Sequence, residues 1–386
     1  MSNSVHNQVE TTSSGPAPTA DDVERIALPP ATPLATALGA PTSLPLLSYR
    51  GVQTIETFSN PPDELAAILT AAGVYDLGWR RSLHCDGKDR VRWLNGMVTN
   101  SVSTLEEKAG CYAFVLNSQG RIQGDLDVYR RADALWLETD LAQVETLTGF
   151  LKHYIIMDKV ELEPQATWTA IGVAGPLAAE KMAAAGLSDM PSPLHLVETT
   201  WQDHPVLVVA AHSPLVPRYE IWIEQDHALD VWNALTATGA TPCGSNPVEQ
   251  LRILEGTPTY SVDITNKDLP QETNQMRALH FTKGCYLGQE IVERIRSRGN
   301  VHRTLSGFIL ADAKPSVKTS LLSDEKPVGE ITSVARISLP GAGEQVLALG
   351  TIRREVLEGK AVVMAGTTTA TPSLLPFNIA GKAVQP

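Results

Sequence analysis

Cysteine is scarce in this sequence, with four residues in 386. None of the four belongs to a CxxC pair or to the Cys/His spacing of a zinc site. Such sparse usage fits a reducing cytosol better than a disulfide-bonded secreted protein. No apolar run approaches the roughly 18 residues of a membrane span, and the N-terminus lacks the basic and then apolar order of a signal peptide. We therefore expect a cytoplasmic protein without a membrane partner and without a metal site of its own.

An excess of positive charge is also missing. The chain has 31 Lys and Arg against 43 Asp and Glu, which gives a net charge of −12. Binding to nucleic acid or to anionic membranes depends on summed positive charge. The composition therefore predicts no nucleic-acid partner, and an anionic ligand would have to meet a local basic patch.

Composition and hydrophobic periodicity divide the chain into four segments. Residues 1–47 are rich in Pro, Ala, Ser and Thr and predict a disordered tail. An order of strand, helix, strands and helix then occurs twice, which predicts one α+β domain over 48–160 and a second over 161–300. Short β runs over 301–386 predict a small C-terminal barrel or sandwich.

The stretch KGCYLGQEIVERIRSRGN, which starts at Lys283, predicts a turn that runs into a helix. Cys285 would lie just before the helix N-terminus, where unpaired N–H groups and the dipole favour a thiolate, and Lys283 would add to that effect. Glu290 and Arg294 have the i,i+4 spacing of a helical ion pair. The same pattern suits a small buried cysteine at a tight turn equally well, so both interpretations remain open here.

A basic stretch over residues 294–303 follows the cysteine. It predicts either a solvated helix face or a rim that meets an anionic ligand. A cysteine hydrolase that uses His280 or His302 is a further hypothesis, although no oriented Cys/His/Asn set can be recognised in one sequence.

The segment over residues 283–290 resembles the KGCYxGQE signature of the YgfZ family. These are folate-binding proteins of iron–sulfur maintenance, related to the glycine-cleavage aminomethyltransferase, or T-protein. Supporting matches are GVYDL at 73–77, the hairpin GRIQGDLDVYR, EGTPTYSVD at 255–263 and LPQETN at 269–274. The resemblance covers about residues 48–386.

This resemblance implies an α+β fold of the T-protein type. That fold is a three-domain cloverleaf of two ferredoxin-like α+β units and a C-terminal β-barrel around a central tetrahydrofolate pocket. The main hypothesis is a tetrahydrofolate-binding protein that assists assembly or repair of Fe–S clusters, with Fe–S client enzymes or cluster carrier proteins as partners. The alternative is a folate-dependent one-carbon (aminomethyl) transferase or demethylase. Whether the protein turns over a substrate stays open at this point.

The resemblance also implies the site residues. It assigns the chemistry to Cys285, as a redox or cluster-related thiol, and to Lys283. A lone thiolate cannot hold a cluster that needs several Cys ligands, so any cluster would be shared with a partner or another thiol. The implied cofactor-binding residues are Asp125, Tyr286, Gln289, Glu290 and Arg294.

Two departures from the T-protein pattern limit the activity that the resemblance implies. Asp125 matches the carboxylate region that holds the reactive end of folate, but Gly124 stands where a T-protein has a second aspartate. The stretch AHSPLVPRYEIWIE lacks the G-Y-T-G-E motif that supplies a further folate-contacting glutamate. We therefore expect folate binding but not aminomethyl transfer from a lipoyl arm.

Overall fold

The computed structural model describes residues 28–39, 44–299, 301–311, 314–339 and 343–378. Their strands form a two-stranded ribbon, a five-stranded sheet, a six-stranded sheet and a closed six-stranded barrel. Helices pack on the two larger sheets. This arrangement confirms the predicted α+β class with a C-terminal β-barrel.

The elements are numbered in chain order. The α-helices are α1 (Pro33–Gly39), α2 (Pro61–Thr70), α3 (Arg90–Met97), α4 (Leu141–His153), α5 (Ala178–Ala184), α6 (Ala228–Ala237), α7 (Ser245–Glu255), α8 (Gln289–Arg298) and α9 (Arg354–Glu358). The longest of these, α4, has 13 residues. Within the described ranges no helix has the length and apolar character needed to cross a bilayer.

The strands follow the same numbering. They are β1 (Leu46–Tyr49), β2 (Val52–Ile55), β3 (Gly73–Asp76), β4 (Arg80–Asp86), β5 (Gly110–Leu116), β6 (Ile122–Arg130), β7 (Leu135–Asp140), β8 (Glu161–Pro164), β9 (Trp168–Ala174), β10 (Leu196–Trp201), β11 (His204–Ala210), β12 (Arg218–Glu224), β13 (Thr241–Cys243), β14 (Arg303–Leu310), β15 (Ser320–Ser323), β16 (Lys326–Leu339), β17 (Gly343–Arg353), β18 (Met364–Ala365) and β19 (Thr368–Ser373).

The five-stranded sheet is antiparallel, in the order β5-β6-β7-β4-β8. Its apolar face packs on α3 and α4, with Leu94, Leu126, Leu137 and Leu147 in one buried cluster. Successive side chains of a strand point to opposite faces, so the other face of β6 and β7 is free to carry polar groups. That polar face forms one wall of the site described below.

The six-stranded sheet has the order β10-β11-β12-β9-β3-β13. Helices α5 and α6 pack on one face, and α2 and α7 on the other. Two strands cross the predicted boundary after residue 160: β3 pairs with β9, and β8 pairs with β4 of the first sheet. The linear division into 48–160 and 161–300 is corrected accordingly, because the sheets exchange strands that lie on either side of it.

The barrel closes in the order β14-β17-β16-β15-β18-β19. It docks on a buried ion pair between α7 and the loop after it, in which Arg252 Nη1 lies 2.6 Å from Asp263 Oδ2. Ser333 of β16 donates to Asp263 Oδ1 at 2.7 Å and accepts from Arg252 Nη2 at 2.7 Å. The barrel is therefore docked through groups whose hydrogen bonds compensate their burial.

The prediction of a disordered tail needs correction over residues 28–39 and 44–47. Leu34 and Ala35 of α1 are buried, and Leu34 packs in the core beside α6. The hydroxyl of Thr32 donates to Asp76 Oδ2, a buried carboxylate that also accepts from Thr54 at 3.0 Å. The segment has little hydrophobic periodicity, so the sequence did not predict the apolar contact of Leu34 or the hydrogen bond of Thr32. Residues 1–27 lie outside the described residues.

Candidate functional site

A polar cavity lies where the two sheets and α7 meet. Its empty volume is about 930 Å³, counted to its open mouth. The wall carries six carboxyl groups and five guanidinium groups. The carboxyl groups belong to Asp125, Asp127, Glu138, Asp140, Glu220 and Glu255, and the guanidinium groups to Arg50, Arg80, Arg218, Arg252 and Arg277.

The alternation of β6 places two of the carboxyl groups in this wall. Leu126 and Val128 are buried in the core of the first sheet. Asp125 and Asp127 point to the opposite face and line the cavity. The stretch GDLDV therefore supplies a hydrophobic face and an acidic face from four consecutive positions. Asp125, predicted as a cofactor-binding residue, thus lies in the wall of this cavity.

Asp125 is held by two neighbouring side chains. The hydroxyl of Tyr112 donates to Oδ2 at 2.6 Å, and the amide of Gln143 donates to Oδ1 at 2.7 Å. The amide oxygen of Gln143 also accepts from the Asp125 N–H at 3.1 Å. Burial raises the pKa of Asp125, and the two donated hydrogen bonds oppose that rise. The carboxyl group is therefore fixed in orientation and open to protonation more readily than an exposed aspartate.

Gly124 leaves the room that Gln143 needs. A Cβ atom at position 124 would lie 2.9 Å from Gln143 Oε1 and 3.0 Å from a methyl group of Leu147. The departure from the T-protein pattern at this position thus has a local reason. A side chain at residue 124 would compete with the amide that fixes Asp125.

Arg80 is the centre of an ion-pair network across the first sheet. Its guanidinium lies 3.1 Å from Asp127 and 3.2 Å from Asp140, with Glu138 at 3.7 Å. Arg50 adds a second cation on Asp140 at 3.2 Å. Burial raises the pKa of Glu138 well above its ordinary value, with Glu220 nearby as a further cause. The network compensates most of the negative charge of this wall, and the raised pKa of Glu138 favours its neutral form more than in an exposed glutamate.

Three charged side chains of the cavity take no part in the Arg80 network. Glu220 pairs with Arg218 through Oε1 at 3.2 Å, but its buried Oε2 has no hydrogen-bond partner in the described part of the chain. Glu255 accepts from Ser213 and has no ion pair among the described residues. Arg277 likewise has no carboxylate partner there. A buried acceptor without a donor is costly, so Glu220 marks a place where a ligand donor would be stabilising.

Two titratable groups near the mouth have shifted pKa values. Burial raises the pKa of Glu255 to about 7, although Arg218 opposes the rise. Burial lowers the pKa of His212 to about 4, and the positive charges of Arg277 and Arg218 lower it further. At neutral pH, Glu255 is therefore divided between its two protonation states and His212 is uncharged. A carboxyl group poised in this way can exchange a proton with a ligand.

Lys283 has a different role from the predicted one. Its ammonium donates at 2.6–2.7 Å to three carbonyl oxygens, those of Asn95, Val98 and Asn100. Carbonyls of the last turn of α3 and just after it lack intrahelical partners, and the lysine satisfies them. Burial lowers the pKa of Lys283 to about 8, which leaves the ammonium charged at neutral pH. Because its three protons are all used at α3, the predicted support of a Cys285 thiolate by Lys283 is corrected.

The lysine contact reaches the cavity through Asn100. The Asn100 side-chain amide donates to the carbonyl oxygens of Tyr112 and Arg277, each at 2.9 Å. The Arg277 guanidinium in turn lies over the ring of Tyr112, with 4.1 Å between its central carbon and the ring centroid. Lys283 therefore positions the backbone behind two cavity residues without touching the cavity itself.

The other residues of the 283–290 motif lie away from the cavity wall. Cys285 is exposed, which excludes the alternative of a buried structural cysteine. Tyr286 is buried in a cluster with Tyr112 and Val292, so it supports the cavity from behind. The sequence predicted that Tyr286, Gln289, Glu290 and Arg294 contact a cofactor. None of these residues lines the central cavity.

Helix α8 is a solvated surface helix. Glu290 and Arg294 form the predicted i,i+4 pair at 2.5 Å on its exposed face. Gln289 is the first residue of the helix and lines none of the described cavities. Gly288 has a positive φ of 80°, and a Cβ there would lie 2.5 Å from the Asn117 carbonyl oxygen. The glycine is needed for close contact with the β5–β6 turn and not for contact with a ligand.

Sequence reasoning missed Glu220, Glu255 and Arg277. Each comes from a different part of the chain. Glu255 begins the matched stretch EGTPTYSVD, but no local pattern assigns any of the three residues to a cavity. The sequence left two alternatives for the basic stretch over 294–303, a solvated helix face or an anion-binding rim. The cations that line the cavity belong to other segments.

Comparison with known proteins places this fold. Residues 48–283 match the GCVT N-terminal domain, and the chain therefore belongs to that family. The aminomethyltransferase T of the Bartonella henselae glycine cleavage system has the same fold, with a TM-score of 0.81 and 18% identity over 91% of this chain and 98% of that one.

Two curated relatives give the same result at the level of sequence. An aminomethyltransferase of Rippkaea orientalis is 24% identical over 335 residues, which cover 81% of this chain and 86% of the relative. A chloroplastic protein of Arabidopsis thaliana, named as a candidate transferase, is 25% identical over 330 residues, with 84% and 75% coverage. These matches confirm the resemblance to the T-protein superfamily. The narrower YgfZ assignment stays a prediction.

Replacement of Lys283 by Met tests its structural role. The variant keeps much of the apolar stem but leaves three carbonyl oxygens without their charged donor, so we expect the free energy of unfolding to fall by about 3 kcal/mol. Urea denaturation of the purified variant measures this. Lys326→Met, at an exposed strand position, is the matched control. A loss below about 0.5 kcal/mol, the range of ordinary surface changes, would contradict the role.

Replacement of Glu255 by Gln tests the raised pKa. The folded state holds its proton up to pH 7 while the unfolded chain releases it near the ordinary value, so wild-type stability falls as pH rises through that window. Glutamine mimics the protonated form. We therefore expect the stability of Glu255→Gln relative to wild type to increase by about 2–3 kcal/mol between pH 5 and pH 8.

Urea unfolding at the two pH values gives the comparison. The exposed Glu355→Gln variant is the control and should show no such change. A constant difference between Glu255→Gln and wild type across the range would show that the carboxyl group ionises normally.

Proposed function

We propose that this protein binds a reduced folate in the central cavity and uses it to transfer a one-carbon unit. The observation that carries the proposal is the polar cavity at the junction of the two sheets, with Asp125 fixed in its wall. Its relatives named as aminomethyltransferases support the same chemistry. The alternative hypothesis from the sequence, a folate-dependent transferase, thus has more support than cluster assembly.

The cavity fits a folate in the polarity of its lining. Trp79 and Leu77 supply apolar surface beside the charged wall. A flat heterocycle with several hydrogen-bonding atoms suits this combination.

Glu220 is the proposed partner for the pyrimidine end of the folate. That end presents a ring N–H and an exocyclic amino group, which are donors on one edge. Glu220 is 2% exposed, and its Oε2 lacks a donor. In this chain the G-Y-T-G-E motif is absent, so a carboxylate at another position has to take up these donors. Glu220 supplies that carboxylate from β12.

Asp125 and Glu255 are the proposed proton-handling groups. A bound tetrahydrofolate would supply the nitrogen atoms that carry the one-carbon unit. Asp125, oriented by Tyr112 and Gln143, would lie against the reacting part of the ligand, as the family resemblance implies. Its raised pKa allows it to hold a proton or to accept one. Glu255, with a pKa of about 7, can return a proton at neutral pH.

A role in assembly or repair of Fe–S clusters stays a prediction. Its support is the exposed thiol of Cys285 in the KGCYLGQE motif. Among the described residues no group of three or more His, Cys, Asp or Glu side chains is arranged to hold a metal ion. A single thiol does not provide the several ligands of a cluster, so this role would need a partner protein.

The cytoplasmic location also stays a prediction. The Arabidopsis relative is named as a chloroplastic protein. Relatives of this fold therefore work in more than one compartment.

Titration with tetrahydrofolate tests the proposed function. We expect saturable quenching of the fluorescence of the seven tryptophans, since Trp79 lines the cavity. Glu220→Gln should weaken binding by about 10- to 100-fold, because it removes a charged acceptor worth about 1.5–3 kcal/mol.

Glu290→Gln is the matched control for this titration. The sequence predicted a cofactor contact for Glu290, whereas the structure places it on the exposed face of α8. Its affinity should equal that of wild type. Absence of saturable binding to wild type, or a loss in Glu290→Gln alone, would reject the central cavity as the folate site.

A further inference from the structure

Arg277 differs from the other arginines of the cavity in having no carboxylate partner among the described residues. The other four are each in an ion pair: Arg50 with Asp140, Arg80 with Asp127 and Asp140, Arg218 with Glu220, and Arg252 with Glu249 and Asp263. The Arg277 guanidinium is partly exposed, and no carboxylate of the described residues neutralises it. The cavity thus has one cation available for an anion from outside the fold.

The guanidinium of Arg277 is held in place. Its Nε donates to Gln275 Oε1 at 3.1 Å, and its plane lies over the Tyr112 ring at 4.1 Å. Asn100 fixes the Arg277 carbonyl oxygen at 2.9 Å. These contacts use one N–H and one face of the group and leave the two Nη groups without a hydrogen-bond partner in the described ranges. Two neighbouring N–H donors in a rigid plane match a carboxylate through paired hydrogen bonds.

The position of Arg277 shows where the anion would enter. Arg277 lines the central cavity and also a shallow groove that contains Gln275, Thr257 and Pro376. It therefore lies where the cavity meets the surface. His212 lies at the same junction and is uncharged at neutral pH, because burial lowers its pKa to about 4. Arg277 supplies the positive charge at this opening.

Tyr112 connects this group to the proposed reaction centre. The Tyr112 ring lies beneath Arg277, and its hydroxyl donates to Asp125 Oδ2 at 2.6 Å. A ligand anion at Arg277 is therefore separated from Asp125 by a single aromatic side chain. Tyr112 therefore supports both the guanidinium that would bind the anion and the orientation of the Asp125 carboxyl group.

We propose that Arg277 is the receptor for a ligand carboxylate at the mouth of the cavity. This inference rests on the proposed folate-dependent function and adds a specificity residue to it. The carboxylate has two sources, the glutamyl end of the folate or a second, amino-carboxylate substrate. Both present the same planar anion to the guanidinium.

Binding of three probes to wild type and Arg277→Gln distinguishes the sources. The probes are tetrahydrofolate, 6-methyltetrahydropterin, which has the heterocycle without a carboxylate, and glycine, added with and without tetrahydrofolate. Arg336→Gln, an exposed barrel residue, is the matched control, and thermal unfolding verifies that each variant is folded. Loss of the paired charged hydrogen bonds should weaken the relevant probe by about 10- to 100-fold.

Each outcome decides the inference. Weaker tetrahydrofolate with unchanged 6-methyltetrahydropterin assigns Arg277 to the glutamyl carboxylate. Unchanged folate and pterin with loss of glycine binding assigns it to a substrate carboxylate. Equal affinities of Arg277→Gln and wild type for all three probes overturn the inference and leave the folate proposal intact. Wild-type protein that binds glycine but no reduced folate would reject the proposed function. In that case, loss of glycine binding in Arg277→Gln would still support Arg277 as the carboxylate receptor. Wild type that binds none of the probes contradicts both.

Discussion

Compensation of buried charge at the junction of the two sheets is the constraint on which the rest of this structure depends. Arg80 lies within 3.1–3.7 Å of three carboxylates from β6 and β7. Removal of one partner from such a network leaves an uncompensated buried charge, which is more costly than the net gain from the intact pair. Arg80 therefore holds β4 to β6 and β7, and the Arg252–Asp263 pair holds α7 to the loop after it. The groups left over from that compensation, Glu220, Glu255 and Arg277, define the candidate site.

The 283–290 motif supports the cavity from behind, without lining it. Lys283 binds the carbonyl oxygens after α3, and Asn100 transmits that contact to Tyr112 and Arg277. Tyr286 packs behind Tyr112 in the same buried cluster. The motif can thus matter for ligand binding through positioning, even though none of its side chains lines the cavity. The exposed Cys285 is separate from this support and stays available for chemistry with a partner.

Local sequence patterns predicted much of the fold and one residue of the site. The period-2 pattern of β6 identified the strand, and the family resemblance placed Asp125 in a central pocket, because both depend on residues close in sequence. The partner of Lys283 could not be predicted, since the carbonyl oxygens it binds lie more than 180 residues away. Glu220 and Arg277 stayed hidden for the same reason. Their significance comes from atoms without a partner among the described residues, Oε2 of Glu220 and the two Nη groups of Arg277, and only the packed structure reveals these.

The central claim is that a reduced folate lies in the cavity between the sheets. A crystal structure of the protein with 5-formyltetrahydrofolate, a stable reduced folate, tests it most directly. The account predicts electron density for the ligand in the cavity, with the pyrimidine edge on the carboxylate of Glu220 and the remainder passing Asp125 toward the mouth. A cavity without ligand, together with density on the surface of α8 beside Cys285, would contradict it.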